Sequence, residues 1–311
     1  MSAVAGTAAD GIVVFAYSEV GHACLKALLE RGDNVVALFT HEDAADERLW
    51  FQSCARLARE RGVPVHTMDP KDPEMERIIR SLAPDLIFSF YYRKMIPERI
   101  LAHARLGAYN MHGSLLPGYR GRAPLNWAII NGESETGVTL HVMVKEADAG
   151  DIIDREAVAI APEETAGEVA KRIPAAAVRL LMRQIDGLKA GTAERHVQDH
   201  SKASYFGIRR PEDGRIDWRQ PAGRIHNLIR AVAPPFPGAF TYAKGRKLMI
   251  WSARLAGGVG RPGEILLLSP LTIAADEGAI EAVHFGFEGE SDAEASPDVL
   301  AALRPGDLLG E

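Results

Sequence analysis

The strongest constraint on the fold is an alternation of short apolar runs with longer helical stretches in the first ninety residues. The apolar runs occupy residues 11–16, 34–39, 63–67 and 86–90, and the helical stretches occupy residues 20–31, 46–61 and 73–81. Strands that are buried on both faces read as apolar runs, and parallel neighbours need helical crossovers. The pattern therefore predicts a Rossmann-like α/β fold with a doubly wound, mostly parallel sheet.

The second half of the chain shows a different pattern, in which one long helical stretch is followed by short strands. A helix is expected over residues 165–189, opened by the capping box Thr165-x-x-Glu168 and broken or kinked at Pro174. Short strands separated by Gly and Pro follow, which predicts a small β-barrel domain. We therefore expect these divisions: a flexible N-terminus over 1–10, a catalytic domain over 11–203, the barrel-like domain over 204–288 and a flexible tail over 289–311.

A possible reaction centre lies on the predicted strand at residues 107–112. Because strand side chains alternate, Asn110 and His112 emerge on the same face. A carboxamide NH2 can donate to an oxyanion, and an imidazole can move a proton at neutral pH. A bare Asn-x-His pair does not separate catalysis from structure. Asp148, in a loop after the alternating strand 137–144, adds a carboxylate that could orient His112 and favour its protonated form.

The segment after the pair is rich in Gly and Pro (GSLLPGYRGRAP, residues 113–124). Its glycines allow a close backbone approach, and Arg120 and Arg122 can meet an anion there. Plain surface loops have the same composition, so this feature alone leaves both interpretations open.

Taken together, residues 110–150 resemble the folate-dependent formyltransferases, in which an Asn, His and Asp set placed like Asn110, His112 and Asp148 transfers a formyl group from 10-formyltetrahydrofolate to an amine. The likeness extends from VVFAY at 13–17 to PGAF at 237–240. Within the family, the segments at 89–93, 112–117, 119–126 and 131–141 look most like enzymes that formylate UDP-4-amino-4-deoxy-L-arabinose in lipid A modification and polymyxin resistance.

The resemblance also implies that the smaller C-terminal domain is an open, OB-like β-barrel, and it implies binding residues. The folate co-substrate is expected to contact the backbone at Lys94, Met95 and Ile96, the guanidinium of Arg122, and the loop formed by Val144, Lys145, Glu146, Ala147 and Asp148. The sugar nucleotide is expected to contact Ser114, Leu115, Arg122, Arg209 and Arg210. The family's bifunctional members carry a dehydrogenase-decarboxylase half, so a separate polypeptide is the expected partner for that oxidative step.

Composition narrows the class of protein. The formal charge of −6 lacks the basic bias that a protein needs to grip nucleic-acid phosphates. The two cysteines, Cys24 and Cys54, are too few for a disulfide framework or a thiolate metal site. Neither a leader peptide nor a membrane span is recognisable, and the first strand-to-helix turn lacks the Gly-x-Gly-x-x-Gly fingerprint. We expect a cytoplasmic enzyme without metal, NAD, nucleic acid or membrane insertion, of open oligomeric state.

Three other functions remain possible from the sequence. Methionyl-tRNA formyltransferase uses the same fold, co-substrate and Asn/His/Asp set. A 10-formyltetrahydrofolate hydrolase would pass the formyl group to water, and a folate-binding subunit would hold the co-substrate without turnover.

Overall fold

A computed structural model describes residues 10–42, 51–290 and 296–310 of the chain. The strands, in chain order, are β1 (Ile12–Ala16), β2 (Val35–Phe39), β3 (Val65–His66), β4 (Leu86–Phe90), β5 (Gly107–His112), β6 (Arg120–Gly121), β7 (Glu135–Val142), β8 (Ile152–Ala159), β9 (Tyr205–Phe206), β10 (Ala239–Ala243), β11 (Arg246–Ala256), β12 (Ile265–Leu268), β13 (Leu271–Ala274) and β14 (Ala279–Phe287). The helices are α1 (Ser18–Arg31), α2 (Cys54–Glu60), α3 (Pro73–Leu82), α4 (Glu98–Leu101), α5 (Pro124–Ile130), α6 (Ala166–Ala170), α7 (Ile173–Ala190), α8 (Ala222–Val232) and α9 (Pro297–Ala302).

These elements belong to two compact units, and the chain passes from one unit to the other more than once. Unit 1 comprises Met1–Gly121, Thr136–Val158 and Arg172–Tyr205, and unit 2 comprises Arg122–Glu135, Ala159–Lys171 and Phe206–Glu311. The last crossing, between Tyr205 and Phe206, lies two residues after the predicted division at 203/204. The two earlier excursions arise because α5 and α6 pack with α8 in unit 2. The predicted N-terminal segment lies outside the described residues, apart from Asp10.

Unit 1 is built on a seven-stranded sheet in the order β3-β2-β1-β4-β5-β7-β8. The pairs from β3 to β5 are parallel, and β7 runs antiparallel to β5. The chain leaves β1 toward β2 and later returns to the other side at β4, which confirms the doubly wound fold. On one face, Phe15 and Phe39 pack with Met75 and Ile79 of α3 in a buried apolar core.

The predicted long helix is broken as expected. Thr165 caps α6, and its side chain and that of Glu168 satisfy each other's backbone N–H groups in a capping box. A second helix, α7, starts at Ile173 with Pro174 in its first turn, where a missing N–H is tolerated. The break separates α6, in unit 2, from α7, which packs against α1 in unit 1.

Unit 2 contains a five-stranded antiparallel sheet in the order β10-β11-β14-β13-β12, consistent with the expected open barrel. Helix α8 packs on β11 and contributes Ile225 and Ile229 to its core. The expectation of a weakly packed tail is wrong for residues 296–310, because Val299 and Leu303 are buried in that core. No helix in the described ranges is long and apolar enough to cross a membrane.

Candidate active site

Strand β5 places Asn110 and His112 on one face of the sheet, as the alternation predicted. The antiparallel partner β7 brings His141 opposite Asn110 and Thr139 opposite His112. Asn110 is partly exposed, whereas His112 is 7% exposed. The pair therefore combines a reachable amide with an imidazole that is largely withdrawn from water.

Asp148 reaches this pair because the chain after β7 turns back on itself. Its backbone is left-handed, with φ of 56°, a conformation that Asp tolerates better than most residues. Gly150 permits the reversal, since a Cβ built on it would lie 2.0 Å from the carbonyl oxygen of Val142. Asp148 Oδ1 then lies 3.4 Å from His112 Nδ1 and 3.4 Å from Asn110 Nδ2. The amide, imidazole and carboxylate thus surround one point.

The carboxylate is also held by the backbone. Gly121, with φ of 97°, donates its N–H to Asp148 Oδ2 at 2.9 Å. Burial by itself would raise the pKa of Asp148, but His112, His141 and the Gly121 N–H outweigh that effect and lower the pKa below its usual range. Asp148 is therefore ionised at neutral pH.

His112 lies between two oxygen acceptors. Its Nε2 is 2.8 Å from the carbonyl oxygen of Tyr119, to which it donates, and its Nδ1 faces Asp148. Burial lowers the pKa of His112 below its ordinary value, even though Asp148 and the Tyr119 carbonyl oppose the shift. Asp148 favours the protonated form, as expected, but does not prevail over burial. His112 is thus a base at neutral pH with a carboxylate ready to stabilise its proton.

His141, which no sequence motif singled out, is 2% exposed and completes this group. Its Nδ1 lies 2.8 Å from the Val142 carbonyl oxygen, which can only accept, so Nδ1 carries the proton. In the neutral ring, Nε2 is then free to accept from Asn110 Nδ2, 3.1 Å away. Alternation along β7 could have shown which face of the strand His141 lies on. The register that places His141 opposite Asn110 cannot be predicted from the sequence pattern.

The Gly- and Pro-rich loop has a more structural role than expected. Ser114 is 1% exposed and its hydroxyl donates to the Gly118 carbonyl, so its side chain closes the loop instead of lining a substrate surface. Leu115 packs over Gly137, where a Cβ would approach its Cδ2 to 2.6 Å. Arg120 is 1% exposed and donates to Gln198, so the expectation that it meets an anion is wrong.

The segments expected to bind folate, residues 94–96 and 144–148, contain both buried and exposed side chains. Lys94 pairs with Asp69 at 2.8 Å, and Ile96 is buried in the core of unit 1, which leaves its backbone as the available contact. Met95 is 62% exposed and Val144 is 38% exposed, two large apolar side chains facing solvent. Lys145, Glu146 and Ala147 are exposed as well.

The predicted substrate arginines lie in unit 2. Arg122, Arg209 and Arg210 line a cavity of about 270 Å³ together with Asn126 and Phe236. The Arg209 guanidinium stacks 4.7 Å from the Trp127 ring centroid and donates to the Asp213 carbonyl. Burial lowers the pKa of Arg209, although the group remains far above neutral pH and stays charged. Three guanidinium groups around one cavity suit a ligand with several anionic oxygens.

Among the residues that the structure describes, no group of three or more His, Cys, Asp or Glu side chains is arranged to hold a metal ion. The donors around His112 are nitrogen and oxygen groups already engaged with one another. Asn110 Nδ2 offers an N–H donor for an oxyanion, and His112 offers a nitrogen that can take up a proton.

Comparison with known families gives two matches. Residues 9–185 match the formyl transferase family, and residues 209–297 match the formyl transferase C-terminal domain. The first match contains the Asn110, His112 and Asp148 group, and the second begins at Arg209 in the arginine-lined cavity.

Solved structures of similar fold include the N-formyltransferase from Helicobacter canadensis in complex with folinic acid and dTDP-3-aminofucose, with TM-score 0.70 and 21% identity over 88% of this chain and 98% of that one. WlaRD, a sugar 3N-formyl transferase in the presence of dTDP and 5-N-formyl-THF, has TM-score 0.66 and 18% identity over 90% and 98%. A 4-N formyltransferase from Francisella tularensis has TM-score 0.62 and 23% identity over 76% and 95%. At these identities the likeness is one of fold.

Proposed function

The chain belongs to the formyl transferase family, and from that premise we propose that it transfers a formyl group from 10-formyltetrahydrofolate to the amino group of a nucleotide-linked amino sugar. The observation that carries the proposal is the convergence of Asn110, His112 and Asp148 on one point, with 3.4 Å from Asp148 Oδ1 to both of the other side chains. An oxyanion donor and a proton acceptor at one point are what amide-forming acyl transfer requires.

The reaction forms one C–N bond and breaks another. When bound, the folate supplies a formyl group on N10, and the neutral amine of the acceptor attacks its carbon. Asn110 Nδ2 donates to the oxygen on which negative charge develops. His112 takes the proton that the attacking amine loses, with Asp148 beside the resulting imidazolium. His112 then returns this proton to the departing folate nitrogen, so the products are a formamide and tetrahydrofolate.

The residues present fit the folate co-substrate. Met95 follows β4 and Val144 follows β7, and these strands flank β5, which carries Asn110 and His112. These exposed apolar side chains, one after each flanking strand, offer surface that a pterin ring would cover. Backbone groups at Lys94 and Ile96 supply polar contacts, in line with folate ligands named for the solved relatives.

The arginine-lined cavity supports a sugar nucleotide as acceptor. Arg122, Arg209 and Arg210 offer paired donors to a diphosphate, and dTDP-linked or dTDP ligands accompany two solved structures of the same fold. The net charge of −6 disfavours a tRNA. From the sequence likeness at residues 119–126 and 131–141, we name UDP-4-amino-4-deoxy-L-arabinose as acceptor, in lipid A modification within the cytoplasm, with a separate dehydrogenase-decarboxylase making its precursor.

The acceptor is tested by a competition experiment. The protein is incubated with 10-formyltetrahydrofolate and an equimolar mixture of UDP-4-amino-4-deoxy-L-arabinose, a dTDP-amino sugar and methionyl-tRNA, and products are separated by mass. Formylated UDP-sugar as the main product supports the proposal. Formylated dTDP-sugar corrects the nucleotide, formylated tRNA overturns the acceptor class, and formate without any formylated acceptor identifies a hydrolase.

A further inference from the structure

Gln198 has no role in the proposed formyl-transfer chemistry, but its side chain is hydrogen-bonded to the loop that carries Asp148. Gln198 is 4% exposed, and its Nε2 donates to the carbonyl oxygens of Asp148 at 2.8 Å and Gly150 at 2.6 Å. One amide nitrogen therefore fixes the backbone on both sides of Ala149. Since φ of Asp148 is 56°, these bonds act at the residue whose conformation is least favourable.

Arg120 fixes the other end of the same amide. Its Nη2 donates to Gln198 Oε1 at 2.6 Å. Because a guanidinium can only donate, the atom facing it must be the amide oxygen, and the NH2 group must point toward the two loop carbonyls. Arg120 thereby removes the alternative amide orientation, in which an oxygen would face Asp148 O and Gly150 O.

Fold stability alone is a poor reason to keep this arginine. Arg120 is 1% exposed, and its hydrogen-bond partners within the described chain are Gln198, His200 and the Tyr205 hydroxyl, with no carboxylate among them. Its buried Nε has no hydrogen-bond partner among the residues that the structure describes. A buried charge without a carboxylate partner is costly for folding.

The segment Tyr119–Arg120–Gly121 contacts both members of the His112–Asp148 pair. Tyr119 O accepts from His112 Nε2, and Gly121 N–H donates to Asp148 Oδ2. The side chain of Arg120, between them, reaches the Asp148 backbone through Gln198. A shift in the loop would therefore change the distance between the carboxylate and the imidazole.

We propose that Gln198 and Arg120 are positioning residues that hold Asp148 in its left-handed conformation, and so keep its carboxylate against His112 and set the proton affinity of that ring. The ionisable groups that face His112 are Asp148, from the loop, and His141, from β7. His141 is held separately by its hydrogen bond to the Val142 carbonyl. Of the two groups, Gln198 therefore positions only the negatively charged one, Asp148. The kinetic consequence rests on the proposed formyl transfer, whereas the effect on His112 does not.

Gln198→Met tests this, since it keeps the side-chain length and removes all three hydrogen bonds. The His112 ring is titrated by 15N NMR in the wild type and the variant, with the resonance assigned from a His112→Gln sample. We expect the variant to titrate at lower pH, because the carboxylate that favours the imidazolium is displaced, and kcat to fall about 10- to 100-fold with KM for both substrates nearly unchanged. Gln184→Leu is the matched control, because it removes a Gln–Asp bond elsewhere in unit 1.

Gln198→Glu separates the two ends of the network. A carboxylate still accepts from Arg120 but cannot donate to the loop carbonyls, so kcat should fall as in the Met variant. Because Gln198→Glu is isosteric, it provides the test if Gln198→Met does not fold. Wild-type titration and kcat in a folded Gln198 variant would overturn the proposal. A wild-type protein without formyl transfer would instead overturn the proposed function, and the NMR titration would still decide the role of Gln198.

Discussion

His112 Nδ1 and Asp148 Oδ1 face each other across 3.4 Å, in a site where both groups are largely buried. The Tyr119 carbonyl accepts from Nε2 on the opposite side of the ring. The imidazolium can therefore satisfy an acceptor at each nitrogen, whereas the neutral ring satisfies one. Burial counteracts this preference and lowers the pKa of His112. The balance leaves His112 neutral at neutral pH, with a carboxylate placed to stabilise the proton that the ring takes up in a proton relay.

Replacing Asp148 by Asn should change both the rate and its pH dependence. Neutral His112 is the active form, so kcat/KM falls as pH drops through the pKa of this ring. Burial holds that pKa below the ordinary value and Asp148 raises it, so removing the negative charge should move the acidic limb to still lower pH. We also expect the plateau to fall about 100-fold.

The measurement is kcat/KM for the amine acceptor across roughly pH 5 to 9, a range that brackets the ordinary histidine pKa. Asp154→Asn is the control, because Asp154 pairs with Arg183 on the surface of the same unit. An acidic limb that moves upward in the Asp148 variant would contradict the assigned relationship.

His141→Phe should lower turnover while leaving folate binding almost intact. The change keeps the ring and removes the Nε2 that accepts from Asn110 Nδ2 at 3.1 Å. An unanchored amide donates less well to the developing oxyanion, so kcat should fall about 10- to 100-fold. Steady-state kinetics with a melting-temperature check make the comparison, and His103→Phe, at a partly exposed contact with Glu76, is the control. Unchanged kcat would remove His141 from the site.

Strand alternation, a local property, was enough to place Asn110 and His112 on one face. The place of Asp148 after an alternating strand, together with family likeness, led us to expect it at this pair, but the left-handed turn that brings it there is not specified by the local sequence. His141 comes opposite Asn110 only through the β5–β7 register, 31 residues along the chain. Gln198 lies in a polar segment without periodicity.

Other differences have the same origin. Arg120 sits in a Gly-rich loop that composition marks as exposed, yet packing buries its guanidinium. The α5 and α6 excursions into unit 2 follow from helix packing on α8, and the tail is ordered by the apolar side chains of Val299 and Leu303. The burial of Arg120, the unit to which α5 and α6 belong and the packing of the tail all depend on contacts between residues far apart in the chain. A local sequence pattern does not predict such contacts.

Arg209→Ala should weaken binding of the sugar nucleotide more than it slows the chemistry. The change removes a guanidinium from the arginine-lined cavity and from the face of Trp127. We expect about a tenfold rise in KM for the acceptor and a matching loss of inhibition by UDP, since one charged hydrogen-bond donor is lost. Arg246→Ala also removes an arginine stacked on an aromatic ring in unit 2, that of Phe287, and should have no effect. Equal UDP inhibition in wild type and R209A would assign the cavity to another ligand.

Gly150→Ala should destabilise unit 1. A Cβ at this position would lie 2.0 Å from Val142 O and 3.2 Å from Val144 Cγ1, so the turn behind Asp148 must open. We expect the free energy of unfolding to fall by about 1–3 kcal/mol, together with a loss of turnover. Denaturant unfolding measures this, with Gly207→Ala as control, because a Cβ there meets no heavy atom within 4 Å. Equal stability of the two variants would contradict the described turn.

The most direct measurement follows a 13C-labelled formyl group from 10-formyltetrahydrofolate onto UDP-4-amino-4-deoxy-L-arabinose by mass spectrometry, with wild type and His112→Ala in parallel. The account predicts labelled formamide and tetrahydrofolate in equal amounts from the wild type. It predicts a loss of about 100-fold or more in the variant. Near-normal turnover by H112A, or label that appears only as formate, would contradict it.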